Sequence, residues 1–130
     1  MVIGFNPQFV LPILTRTKIH TVREDIHNRW KPGMKMHMAT GVRTKQYSQF
    51  FESYCISVQE LKIVFNPDYI FNQVFIDGEE LEYRQICNLI LNDGFIRVVD
   101  FYNWFLKKAK LENRTYIYKG KIIHWTDLKY

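Results

Sequence analysis

Apolar and polar positions alternate with a period of two through much of the first half of the chain, and the period lengthens in the second half. Residues 9–14, Phe9-Val10-Leu11-Pro12-Ile13-Leu14, are an apolar run interrupted by a proline. Pro12 has no N–H for a central ladder, so the run predicts an edge strand or an extended lead-in. From Thr15 to Arg23 the side chains of an extended segment divide into two sets. Thr17, Ile19, Thr21 and Arg23 share one face; Arg16, Lys18, His20 and Val22 share the other. Neither face is apolar, so an ordinary half-buried strand does not account for the segment. A turn near His20 would let Lys18, Thr21 and Arg23 converge. Pro32-Gly33 is a turn signal, and residues 34–40 read as a strand with Met34, Met36 and Met38 on one face.

Residues 53–65 are the longest strand signal. Tyr54, Ile56 and Val58 have one parity and Leu61, Ile63 and Phe65 the other, which predicts a β-bulge near Gln59-Glu60 and a bent strand. A turn at 66–68, a strand over 69–76 and a turn at Asp77-Gly78 follow. Tyr83, Ile86, Cys87 and Ile90 then fall at helical spacing and predict a helix over 82–91, closed by Asn92-Asp93-Gly94. Val98, Phe101, Tyr102, Phe105 and Ala109 mark a second helix, with Lys107, Lys108 and Lys110 in its last turn. Residues 115–125 read as a closing hairpin that turns at Lys119-Gly120. Strands, a helical pair, then strands: the order predicts one α+β or small-barrel domain over residues 1–130.

Composition narrows the class. With 47% hydrophobic and 16% aromatic residues the chain has the means to bury a core. No apolar run approaches the roughly 20 residues of a membrane helix. The first twelve residues carry no basic region and no small-residue cleavage site, so a cytoplasmic protein is expected. Cys55 and Cys87 lack metal-type spacing and sit in apolar patterns, which predicts free, buried thiols. His20, His27, His37 and His124 show no metal spacing, and no cofactor fingerprint is present.

Charge is concentrated. Arg16, Lys18, Arg23, Arg29, Lys31, Lys35, Arg43 and Lys45 face only Glu24 and Asp25 between positions 15 and 45, a local charge of +6 in a chain of +5. A positive segment with interleaved hydroxyls and aromatics implies an anionic partner, of which nucleic acid is the commonest. The expected interface is a basic cleft built from Arg16, Lys18, Arg23, Arg43, Thr44 and Lys45. Trp30 either stacks a base there or covers the end of a barrel.

Four segments carry a family resemblance. Lys18-Ile19-His20-Thr21-Val22-Arg23 resembles the Lys-x-x-Thr-Val/Ile-Arg signature of ASCH domains. Trp30-Lys31-Pro32-Gly33-Met34-Lys35, Thr40-Gly41-Val42-Arg43-Thr44-Lys45, and Asn92-Asp93-Gly94-Phe95 with Asp100-Phe101 and Trp104-Phe105 are similar to later family segments, in the same order. The resemblance implies a PUA-like fold, a bent mixed β-barrel with two helices inserted between the later strands. It implies an RNA- or nucleotide-binding module that reads a single-stranded or modified base. One branch of the family consists of acetylcytidine amidohydrolases, and by position it implies Lys18 as base, Thr21 as nucleophile and Asp93 as proton shuttle. The amidohydrolases carry Glu where Asp93 stands. A third reading is a protein-interaction factor that uses the basic face.

Overall fold

The computed structural model describes residues 1–66 and 72–130. It is an α+β arrangement of two mostly antiparallel sheets and three helices. The first sheet has the order β1-β3-β4, with β1 (Val2–Gly4) parallel to β3 (Lys35–Thr40) and β3 antiparallel to β4 (Ser48–Tyr54). In the second, β2 (His20–Arg23), β9 (Thr115–His124), β5 (Ser57–Phe65), β6 (Gln73–Ile76) and β7 (Glu79–Glu80) are neighbours in that order, and β8 (Lys110–Glu112) also pairs with β9. Among the described residues the strands do not close into the expected barrel. The chain passes from the first sheet to the second at Cys55-Ile56, where Ile56 N donates to His124 O at 2.7 Å.

The segment at 9–14 is not extended. Pro7–Phe9 forms a 3-10 turn and Val10–Leu14 a short helix, α1. Pro12 is tolerated because N–H groups in a first helical turn lack intrahelical acceptors anyway. Phe9 and Ile13, four apart, are buried, whereas Leu11 and Leu14 are exposed, so the period that decides is helical. The bulge expected at Gln59-Glu60 is absent. Ser57, Gln59, Leu61, Ile63 and Phe65 are buried at one parity, in unbroken register with β9. Cys55 already has the buried parity, and Tyr54, Ile56 and Val58 are the outward set. The register shift among the described strands lies between Met38 and Ala39, where the pairing steps from Phe51 to Gln49 and skips Phe50 of β4.

The expected closing hairpin is one continuous strand. Gly120 does not turn the chain; it makes room. A Cβ there would lie 2.8 Å from the Tyr118 ring and 2.9 Å from Arg23 O. The hairpin that does form joins β8 to β9 through Asn113 and Arg114, both at positive φ. Of the strand expected at 69–76 the structure describes only the Gln73–Ile76 end; residues 67–71, with most of the predicted turn at 66–68, lie outside the described residues.

Helix α2 (Tyr83–Asn92) falls where the 3.6-residue period places it, whereas α3 (Val98–Leu106) starts as expected but stops at Leu106, so Lys107 caps it and Lys110 opens β8 instead of lying in its last turn. Ile86, Leu89 and Ile90 turn inward from α2, and Phe101 and Phe105 from α3. Phe95, Phe101, Phe105 and Tyr118 stack in sequence with centroid separations of 5.6, 4.8 and 4.9 Å, which fastens α3 to β9. Each such pair contributes about 0.5–1.5 kcal/mol beyond its buried area. Cys55 and Cys87 are both free; Cys55 is buried and Cys87 half-buried. No helix among the described residues is long and apolar enough to cross a membrane.

Candidate functional site

The site begins where α1 ends. Thr17 N and Lys18 N both donate to Pro12 O at 2.9 Å, and Arg16 takes a left-handed φ of 64°. This tight reversal aims the chain into β2. There Ile19 N donates to Asn92 O at 2.9 Å, tying the start of β2 to the last residue of α2. Asp93 and Gly94 are thereby set against Lys18. Gly94 has φ +92°, and a Cβ on it would stand 3.1 Å from both Cβ and Cδ of Lys18. Its bare α-carbon lets the lysine stem cross the end of α2.

Lys18 Nζ therefore reaches Asp93 twice, donating to the backbone O at 2.6 Å and to Oδ1 at 3.1 Å. Both residues are only 2% exposed. Burial lowers the Lys18 pKa, and the Asp93 charge offsets part of that effect. At Asp93, burial opposes the ionised form, but Lys18 and His20 together outweigh it and hold the carboxyl below its usual range. The resting pair is an ammonium and a carboxylate in a water-poor setting, with the proton on Nζ held less tightly than on a free lysine.

His20 approaches the same carboxylate, with Nδ1 3.2 Å from Asp93 Oδ1 and Nε2 2.6 Å from the Tyr130 hydroxyl. Burial lowers the pKa of His20, so its ring is neutral. Since an ionised carboxylate only accepts, Nδ1 carries the proton and Nε2 accepts from Tyr130. Asn92 Nδ2 donates to the Tyr130 oxygen at 2.9 Å.

In front of the Lys18–Asp93 pair lies a cleft of about 430 Å³, near the small end of the roughly 300–1,000 Å³ usual for ligand pockets. Thr21 lines it, and among the described residues no group hydrogen-bonds its hydroxyl. Arg23 lines it too, with Nη2 donating to Gly4 O at 2.6 Å and the guanidinium stacked 4.9 Å from the Phe5 centroid. Phe5, Phe9, Phe95 and Trp104 supply aromatic wall, and Lys18 Nζ sits 4.8 Å from the centre of Phe9. Val42 and Lys108 complete the rim.

The fold thus brings Lys18, Thr21, Arg23 and Asp93 to one cleft and leaves the other basic candidates outside it. Arg16 and Lys45 are exposed and do not line it. Arg43, also exposed, takes φ 65° in a turn where Thr44 Oγ1 donates to Gly41 O at 2.7 Å. Gly41 and Val42 of that turn reach the cleft; Arg43, Thr44 and Lys45 do not. Trp30 is buried in the core, so it stacks no ligand. His20, Asn92 and Tyr130 were not among the sequence candidates. His20 sits inside the Lys18–Thr21 signature, but nothing in the sequence pairs it with a tyrosine 110 positions away. Among the described residues no group of three or more His, Cys, Asp or Glu side chains is placed to hold a metal ion.

Comparison of the chain with known proteins yields no match to a family model, a characterised protein or a solved structure.

Proposed function

We propose that the cleft is a hydrolytic site for an acyl group on the exocyclic nitrogen of a single nucleobase or nucleoside, acetylcytidine being the simplest substrate. The observation that carries this reading is the buried Lys18–Asp93 pair in a cleft that Thr21 also lines. A buried ion pair is costly and is weak evidence of stabilisation. A lysine whose pKa is lowered inside a cleft is instead a candidate acid–base group. The resemblance to ASCH domains and their PUA-like fold points the same way, and the aromatic wall suits the flat faces of a base.

The chemistry follows from the geometry. Once Lys18 Nζ has lost its proton to solvent, it is a neutral amine held by the ionised Asp93 in the cleft that Thr21 also lines. Thr21 Oγ attacks the acyl carbon and its proton passes to Lys18. The tetrahedral intermediate collapses as the C–N bond breaks, and Lys18 returns a proton to the departing amine. Water then attacks the Thr21 ester with the same base, releasing the carboxylic acid and regenerating the hydroxyl. Arg23 supplies positive charge beside the developing oxyanion.

The test is acetate release from acetylcytidine. The wild type turns over, and Lys18→Ala, Thr21→Ala and Asp93→Ala each lose about 10²-fold or more. Because the three act as a unit, double variants lose little further. Activity rises with pH through a point below the ~10.4 of free lysine. Absence of acetate release from the folded wild type would sink the reading.

A second reading, recognition of an RNA or single-stranded segment by one inserted base, is favoured by the exposed Arg43 and Lys45 on the turn whose Gly41 and Val42 border the cleft. Affinity for single-stranded RNA would then fall steeply with salt. Salt-independent binding, or none at low salt, excludes it.

A further inference from the structure

The hydrolytic reading uses Lys18, Thr21 and Asp93 and leaves unexplained why a neutral histidine is sealed behind them. His20 is fully buried, and its two ring nitrogens are both engaged. Asn92 Nδ2, Tyr130 Oη, the His20 ring, Asp93 Oδ1 and Lys18 Nζ form one chain of hydrogen bonds, with links of 2.9, 2.6, 3.2 and 3.1 Å. We propose that His20, its tautomer set by Tyr130, is a positioning residue that holds the Asp93 carboxylate on Lys18 and keeps it ionised until Lys18 gives up its proton. This inference rests on the hydrolytic reading for its kinetic consequence and on the hydrogen-bond chain alone for its structural one.

The direction of the chain decides the role. Asn92 can only donate through Nδ2, so the tyrosine oxygen accepts from it and turns its own proton toward Nε2. An imidazole whose Nε2 accepts must carry its proton on Nδ1, where it meets Asp93 Oδ1. That oxygen is the one Lys18 also uses. Without Nδ1–H, Oδ1 would lose the donor that fixes the carboxylate plane, and the hydrogen bond that holds Nζ would lose its geometry. The charged and titratable groups around the His20 ring are Asp93 and Lys18 on the cleft side, and His124 and Tyr130 behind it. His124 is 5.2 Å away between ring centroids, and its Nε2 faces Gln59 Oε1 at 2.9 Å, so it does not compete for Asp93.

Two measurements test this. The first uses the protein without substrate: nitrogen NMR of the labelled imidazoles. His20 is expected as the neutral Nδ1–H tautomer at pH 7, with Tyr130→Phe shifting its Nε2 signal and Asp93→Asn shifting Nδ1. An Nε2–H tautomer, a charged ring at pH 7, or Nδ1 indifferent to Asp93→Asn would overturn the proposal. The second is kinetic. His20→Asn keeps an amide donor near the place of Nδ1, whereas His20→Ala removes it. His20→Ala is expected to lower kcat at least 10-fold with KM little changed and to move the rising limb of the pH profile. His20→Asn should recover most of kcat and return the limb. Equal losses in both variants, tracking their melting temperatures, would mean a packing role only and overturn it. A wild type that releases no acetate but shows the Nδ1–H tautomer coupled to Asp93 would refute the hydrolytic reading while leaving the structural link standing.

Discussion

At the residue scale the pair that matters is Lys18 with Asp93. Removing one member of a buried ion pair leaves a charge without a partner, typically at a cost of about 3–5 kcal/mol, whereas replacing both with apolar groups is often neutral or stabilising. Asp93→Asn is therefore expected to destabilise the fold at pH 7, and the deficit should shrink as pH rises and Lys18 loses its proton. Lys18→Met combined with Asp93→Asn should recover much of that loss while remaining inactive. Urea unfolding of the two single variants and the double variant gives the coupling, expected at about 1 kcal/mol or more for groups in direct contact. Additive losses would mean the two side chains do not interact as the 3.1 Å contact requires.

The end of α2 governs the site at the element scale. Asp93 closes the helix, with its N–H on Leu89 O at 2.9 Å, and Gly94 then takes a left-handed φ. A left-handed conformation costs an L-residue about 1–2 kcal/mol. Gly94→Ala adds a methyl 3.1 Å from the Lys18 stem, which must give way. The expected outcome is a loss of that size in unfolding free energy together with a drop in kcat larger than the stability loss explains. A variant as active as wild type at a temperature where both are folded would show that Lys18 tolerates displacement. Glu82 N donating to Gln85 Oε1 at 2.9 Å closes the opposite end of the helix, so a change there should lower stability without touching the chemistry.

For the whole molecule, buried titratable groups set the pH range of stability. Burial pushes His124 down to about 4 and also lowers His20. A base with a lowered folded pKa binds fewer protons folded than unfolded, so its penalty is absent above ~6.5 and grows as pH falls from there. For His124 it is complete near pH 4. Asp93, with a lowered folded pKa, adds stability above its unfolded value of ~3.9 that is lost as pH falls through the folded one. All three act in one direction. The urea midpoint should decline steadily from pH 7.5 to pH 4, and His124→Gln should flatten that decline, whatever its effect at pH 7.5. A midpoint that is constant or higher at pH 5 would contradict the burial of the neutral rings.

Local spacing was enough to read both later helices, the Met34–Thr40 strand and the Gly94 stop, because a buried helix face and a strand face leave periods of about 3.6 and 2 in the sequence itself. It also marked Lys18, Thr21 and Arg23, since few local structures require that mixture of charge and hydroxyl, whereas Asp93 was pointed to only by the resemblance of its segment to ASCH domains. Tertiary context decided what periodicity cannot encode. The run at 9–14 became a helix because Phe9 and Ile13 find a common core, not because its propensity demanded one. Gln59 faces inward because Asp77, His124 and Tyr130 satisfy its amide, so an apolar-parity argument placed a bulge where the register is unbroken. Arg43, Thr44 and Lys45 look like cleft residues by charge, but the Gly41 turn leaves them outside. The His20–Tyr130 contact spans 110 positions, and hydrogen-bond partners at that separation are selected by the closed geometry of the fold, to which no local pattern is coupled.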